Sequence, residues 1–362
     1  MQPNLPNDER LAVELLAACF SETTNSYKFY WLMAILEELN LGHRRIAHAD
    51  LALRMISLAW YPLDYFKLSF GKRDGFVIHA KMISANVIID KRVNAPSIYH
   101  QIISHSDEKT KQVLLKGLLE LTRWVPYRFI RPFFSAQLMG LGDGHVNARI
   151  KKLAAERPGF APYQFDKKHI VVDEAWAEYL QRHQYMLIGF TQWHLLRFLQ
   201  RNNSNVIGLS EKLSAPGIRK LANAKVFWSS FLKGRLIKCI YCGDLLQESR
   251  ISLDHFIPWS YIAHDRIWNI IPTTSKINSA KGNALPELKD YFEPYSNIQF
   301  SAFDYQRSQN NPELLEDYHQ LLQTEALMEV DYAFFKEKLF LEVSTHHRIA
   351  SAMGFSKNFR VA

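Results

Sequence analysis

The sequence predicts a mainly helical protein with a small ββα module in its C-terminal half. Three observations point there. Apolar residues recur at helical spacing through most of residues 1–230 and again after Pro286. Near residue 230 the texture changes to short β-branched runs around a Cys-x-x-Cys turn. A short polar helix, "TSKINSAKGN", then closes on Gly282.

The helical elements follow in order. "NSYKFYWLMAILEEL" sets Tyr27, Tyr30, Trp31, Ala34, Ile35 and Leu39 near helical spacing, with Asn25 or Ser26 as a cap and Gly42 as a stop. "ADLALRMISLAWYPLDYF" is a second such segment. "DEKTKQVLLKGLLELTRWV" opens with acids and runs to Pro126, which breaks or kinks a helix. "DEAWAEYLQRHQYMLIGFTQWHLLRFLQRN" reads as two helices, or one broken at Gly189. "GIRKLANAKVFWSSFLK" leads to the change of texture, and "NPELLEDYHQLLQTEALMEVDYAFFKEKLF" resumes the helical pattern. The expected domains are a helical body over 1–230 that serves specificity or partner binding, a ββα module over 231–290, and a helical segment over 291–362. No internal repeat or low-complexity tract is visible.

Composition narrows the class. With 48% hydrophobic residues in 362, the chain can build one large core or two to three smaller ones. The 22% of charged residues excludes a disordered chain. The start, "MQPNLPNDER", lacks the layout of a signal peptide, and no apolar run is long enough to cross a bilayer. A cytoplasmic protein without a membrane partner is expected. An odd count of three cysteines, Cys19, Cys239 and Cys242, argues against a disulfide framework. A formal charge of +8 is compatible with a nucleic-acid partner.

The chemistry concentrates in "CIYCGDLLQESRISLDHFIPWSYIAHDRIWNIIPTTSKINSAKGN". Asp254 and His255 end an apolar strand, Asn269 follows a loop, Asn278 lies on the next helix, and Lys281 comes three residues later. With the Cys239-x-x-Cys242 knuckle upstream, this order resembles the HNH endonucleases and their ββα-metal fold, over about residues 235–286. A lone Asp-His or Cys-x-x-Cys would carry little weight; several elements in register carry more.

Phosphodiester hydrolysis needs an activated water, a charge clamp on phosphorus and help for the leaving 3′ oxygen. A divalent cation can supply the last two. Mg²⁺ takes hard oxygen ligands, so a carboxylate and an amide oxygen can hold it beside a phosphate. The resemblance implies Asp254 and Asn278 as ligands of one divalent cation, Mg²⁺ or Mn²⁺. It implies His255 as the general base, whose ordinary pKa near neutrality suits it to take a proton from water. Asn269 would brace the loop and orient His255, and Lys281 would neutralise a phosphate. Adjacent strand residues point to opposite faces, so the strand end has to bend, helped by Pro258, for Asp254 and His255 to share a site.

The knuckle departs from the zinc-stapled members of that family. Their second Cys-x-x-Cys falls here on Thr274 and Ile277. Two of the four ligands of a tetrahedral site are visible, and neither Cys19 nor His264 is a good substitute. Structural zinc is therefore not expected, and Cys239 and Cys242 read as a vestigial knuckle held by packing.

Outside the module, "RWVPYRFIRPFF" interleaves Arg123, Arg128 and Arg131 with aromatics, a pattern that can pair with phosphates and stack on bases. The plainer reading is a core segment with two prolines. Taken together, these features point to a metal-dependent endonuclease acting on double-stranded DNA, in restriction or antiphage defence with partner proteins of such a system. The alternatives are a non-catalytic nucleic-acid-binding or scaffold subunit, and a nuclease directed at RNA or a modified base.

Overall fold

The computed structural model describes residues 5–90, 94–104, 107–217, 219–246 and 250–361. It is mainly helical with two small antiparallel sheets. The chain divides into two compact units. One comprises Met1–Ser204 and Lys212–Pro216, the other Asn205–Glu211 and Gly217–Ala362.

The first unit is built on α1 (Val13–Ala18), α2 (Tyr27–Asn40), β1 (Arg45–Ala47), α3 (His48–Trp60), α4 (Phe76–Ser84), α5 (Ala95–Ser104), α6 (Glu108–Leu118), α7 (Val125–Phe129), α8 (Asp143–Glu156), β2 (Tyr163–Asp166), β3 (His169–Val172), α9 (Glu174–Arg182) and α10 (Gln184–Asn202). Helix α2 is buried nearly all round, which explains its aromatic and aliphatic content. Its Glu38 accepts from Arg54 of α3 at 2.7 Å, so the charge it buries is paired. Strand β3 pairs with both β1 and β2. Pro126 sits at the start of α7, where its missing N–H costs nothing. The break between α9 and α10 falls at His183, and Gly189 stays inside α10.

The second unit contains α11 (Ala222–Leu232), β4 (Ile251–His255), α12 (Trp259–Ile262), β5 (Ile270–Thr274), α13 (Ser275–Lys281), α14 (Leu288–Ser308), α15 (Glu316–Leu322) and α16 (Tyr332–Ala352). Strands β4 and β5 pair antiparallel with Asp254 opposite Ile271 and His255 opposite Ile270, and α13 completes a ββα unit. Gly282 closes α13 at φ +49°, a conformation that favours glycine.

The three-part division expected from sequence differs from what is found. Trp228 and Phe231 of α11, Ile270 of β5, Tyr295 and Phe303 of α14, Tyr318 of α15 and Phe335 of α16 share one apolar core. The boundary therefore precedes α11, and residues 291–361 are part of the same unit as the ββα elements. A two-stranded sheet with one short helix cannot bury enough surface alone, and these helices provide the rest. Near the end of the chain, Phe359 forms a parallel bridge with Pro286, donates to Leu285 O at 2.9 Å and meets the Tyr241 ring edge-on.

Candidate active site

The knuckle comes first in the chain. Cys239 N donates to Asp244 O at 2.8 Å, Gly243 N to Cys239 O at 2.9 Å and Leu246 N to Ile237 O at 2.8 Å. Gly243 takes φ +75°, so the turn requires it. Thr273 Oγ1 lies 3.2 Å from Cys239 Sγ. Thr274 and Ile277, assigned from sequence to the lost ligand positions, do other things. Thr274 Oγ1 caps α13 by accepting from Ile277 N at 3.3 Å, and the Ile277 side chain is buried. Cys19 lies in the first unit, where its thiol donates to Leu15 O. His264 Nδ1 accepts from Arg266 N at 3.3 Å.

Asp254 is turned into the core. Its Oδ1 accepts from Lys281 Nζ at 3.1 Å and its Oδ2 from Tyr241 OH at 2.9 Å, while Lys281 Nζ also donates to His255 O at 2.6 Å. The side chains of Lys281 and Asp254 are 0% and 3% exposed. Burial pulls the Lys281 ammonium below its usual pKa, and Asp254 opposes that pull. Burial, reinforced by the Asp254 charge, holds the Tyr241 hydroxyl well above its ordinary pKa, so it stays a neutral donor. Lys281 is thus an internal counter-ion, not an exposed cation free to meet a phosphate. The reason is geometric: α13 packs on β4 and carries Lys281 onto the inner strand face.

His255 faces the other way. Strand β4 remains paired with β5 through His255, and neighbouring strand residues alternate in direction. Asp254 and His255, expected to share one site, engage different partners: Lys281 and Tyr241 for Asp254, Asp265 for His255. His255 Nε2 lies 2.8 Å from Asp265 Oδ1, and its Nδ1 has no hydrogen-bond partner among the described residues. Asp265 Oδ2 accepts from Lys220 N at 2.5 Å. Burial lowers the His255 pKa, and the Asp265 carboxylate resists the shift. For Asp265, burial acts upward, but its hydrogen bonds from His255 and Lys220 prevail and its pKa is lowered. Asp265, Lys220, Trp259 and Arg266 line a cleft of about 470 Å³ within this unit.

Asn269 is fully buried and clamps the turn that follows β4. Its Oδ1 accepts from Ile257 N at 2.8 Å, its Nδ2 donates to Ile257 O at 2.9 Å, and its backbone O accepts from Phe256 N at 2.8 Å. The turn is held further by Phe256 stacking on Tyr295 at 3.9 Å between centroids. Asn269 itself is set by its neighbours: Trp228 Nε1 and Gln299 Nε2 both donate to Ile270 O, and Tyr295 OH donates to Trp268 O. Asn278 Nδ2 donates to Ser252 Oγ at 2.7 Å and to Leu253 O at 3.0 Å, which ties α13 to β4. That leaves its Oδ1 without a partner among the described residues.

A divalent cation held jointly by Asp254 and Asn278 does not fit this arrangement. Both Asp254 oxygens are taken by protein donors, and a lysine ammonium already matches the charge. Among the described residues, no three His, Cys, Asp or Glu side chains converge as a metal-binding group.

In the first unit, Arg123 pairs with Glu120 at 3.4 Å, while Arg128 and Arg131 each lie 3.8 Å from Asp143. All three are exposed or half-exposed. Val125 and Phe129 between them, and Phe133 and Phe134 just beyond, are core residues, and Trp124 stays accessible with Arg123 and Arg128 over its ring.

Sequence reasoning missed Asp265 and Tyr241. Asp265 carried a faint signal, as the acid of "AHDRIW" in the loop between the two strands. Tyr241, inside the knuckle, carried none. No helix of the described residues is long and apolar enough to cross a membrane. No curated protein and no solved structure matches the chain. Residues 239–287, which hold the knuckle, both strands and the helix bearing Asn278 and Lys281, match the HNH endonuclease family.

Proposed function

We propose that this chain is an endonuclease that hydrolyses phosphodiester bonds in double-stranded DNA, with His255 as the general base. One observation carries the reading: a buried histidine on a braced strand end has one ring nitrogen engaged and the other without a hydrogen-bond partner among the described residues. Burial favours its neutral, proton-accepting form at neutral pH. On this reading a water oxygen attacks phosphorus, its proton passes to His255, and the bond to the 3′ oxygen breaks as that oxygen takes a proton from solvent water. Asn269 fixes the backbone beside the base, and Asn278 offers an amide oxygen at the mouth of the ββα unit. The formal charge of +8 favours a polyanionic substrate.

HNH nucleases generally use a divalent metal. For Mg²⁺ or Mn²⁺ to reach Asp254 in this chain, Lys281 has to leave it. That engagement favours one rival reading, a nucleic-acid-binding or scaffold subunit in which the ββα unit is structural. A role in restriction or antiphage defence is supported only by the pairing of a small nuclease module with a larger helical unit.

The test is a cleavage panel of plasmid, linear, single-stranded and modified DNA plus RNA, with Mg²⁺ or Mn²⁺, for wild type and His255→Ala. Nicked or linear plasmid from wild type alone is the expected result. Undiminished cutting by His255→Ala removes the assignment, and no cutting by either chain favours the scaffold.

A further inference from the structure

We propose that Asp265 is the positioning residue of His255: its carboxylate fixes the imidazole with the proton on Nε2 and leaves Nδ1 as the basic nitrogen. The proposal rests on the nuclease reading for its purpose but on geometry for its content.

The carboxylate and the imidazole are 2.8 Å apart, within charge-assisted hydrogen-bond range. An ionised carboxylate only accepts, so the shared proton belongs to Nε2. In a neutral imidazole the lone pair then lies on Nδ1. That nitrogen is the one with no partner among the described residues. Asp265 is itself held at two points, because Oδ2 accepts from Lys220 N at 2.5 Å while Oδ1 meets His255. His255 is equally fixed at its backbone, where Lys281 Nζ donates to its carbonyl at 2.6 Å. His255 thus brings a ring nitrogen, and Asp265 a carboxylate oxygen, to a single bond that is anchored on both sides.

The route of the chain explains how a residue ten positions on returns to the strand end. Ala263 closes α12 in the left-handed region at φ +55°, and the chain reverses there. His264 and Asp265 follow directly, and Asp265 lines the 470 Å³ cleft. A loop acid without a task would remain solvated. This one is 13% exposed and satisfied on both oxygens.

The charged and titratable groups facing His255 are Asp265, Arg219, Asp254 and His264. Asp265 and Asp254 favour the imidazolium, Arg219 opposes it, and His264 is held neutral by burial. Removing the Asp265 acceptor therefore leaves the His255 ring without the partner that orients it.

The experiment uses the full chain with ¹⁵N-labelled histidine. His255 is assigned by difference with His255→Gln, and its ring tautomer is read in wild type, Asp265→Asn and Asp265→Glu. The Nε2–H tautomer is expected in wild type, lost in Asp265→Asn and regained in Asp265→Glu. In cleavage assays Asp265→Asn should lower kcat on the order of 100-fold or more and leave KM near wild type. A wild-type His255 protonated on Nδ1 overturns the proposal, and so does an Asp265→Asn chain with wild-type kcat and the wild-type tautomer. The wild-type tautomer stands as a test even if the variants fail to fold. If wild type cuts no nucleic acid, the nuclease reading fails, and the ring signals still decide between the two placements of the proton.

Discussion

Replacing Lys281 by Met tests whether Asp254 depends on an internal counter-ion. The two side chains are 0% and 3% exposed and meet at 3.1 Å, so water screens neither charge. Removing one partner of a buried pair leaves an unmatched charge and costs about 3–5 kcal/mol. The same change strips His255 O of a donor at 2.6 Å, which adds about 1 kcal/mol. For a unit of about 150 residues, each kcal/mol lowers Tm by about 2–4 °C, so a fall of roughly 8–24 °C is expected. A triple variant, Asp254→Leu with Lys281→Met and Tyr241→Phe, removes the charges and the hydroxyl together and should recover most of that loss, because apolar groups of similar size replace buried pairs at little cost. Urea unfolding followed by hydrogen exchange mass spectrometry over residues 251–281 localises the effect. A loss under about 1 kcal/mol for Lys281→Met, the range of exposed pairs, would falsify the argument that this pair is desolvated.

Other outcomes follow from the same geometry. Asn269→Ala leaves the buried Ile257 N and O without partners and should cost about 2–4 kcal/mol by urea titration. Acid should destabilise the second unit as pH falls below about 6.5. Burial first, then Arg266 and His346, holds the His264 pKa down to about 3, so the unfolded chain binds the proton that the folded chain refuses. His264→Gln should flatten the slope of urea midpoint against pH between about 6.5 and 3, and an unchanged slope counts against that burial. Burial pushes the Cys19 thiol up to about 12, and burial together with Cys239 pushes Cys242 up to about 11. At pH 7.5 iodoacetamide should therefore modify neither in the folded chain and both after unfolding, read by mass spectrometry. Fast labelling of folded Cys242 would contradict this.

The ββα order was legible in the sequence because its signals are local. A strand ends at Asp254-His255, a second runs into Thr274, and a capped helix stops at Gly282. The Asn269 clamp was legible in outline, since an amide after a loop suits a turn with buried backbone groups. The direction of Asp254 was not. Strand alternation sets it against His255, but which face is inner depends on where α13 and Tyr241 pack. Lysine is rarely buried, so Lys281 read as a solvent-facing cation until its helix was placed on β4. Asp265 was hidden because its partner comes from tertiary folding, through a reversal at Ala263 that is no turn signature. The domain boundary was missed for a related reason. Amphipathic helices announce that they bury a face, not which core they bury it in.

Phe359 has a consequence for the timing of assembly. Its backbone is bridged to Pro286 and its ring rests on Tyr241, the residue that holds Asp254 from the knuckle side. A ribosome making this chain therefore releases every element of the ββα unit before it releases the segment that closes around them. Until residue 359 is clear, Tyr241 lacks one of its walls and the strand end is not fully braced.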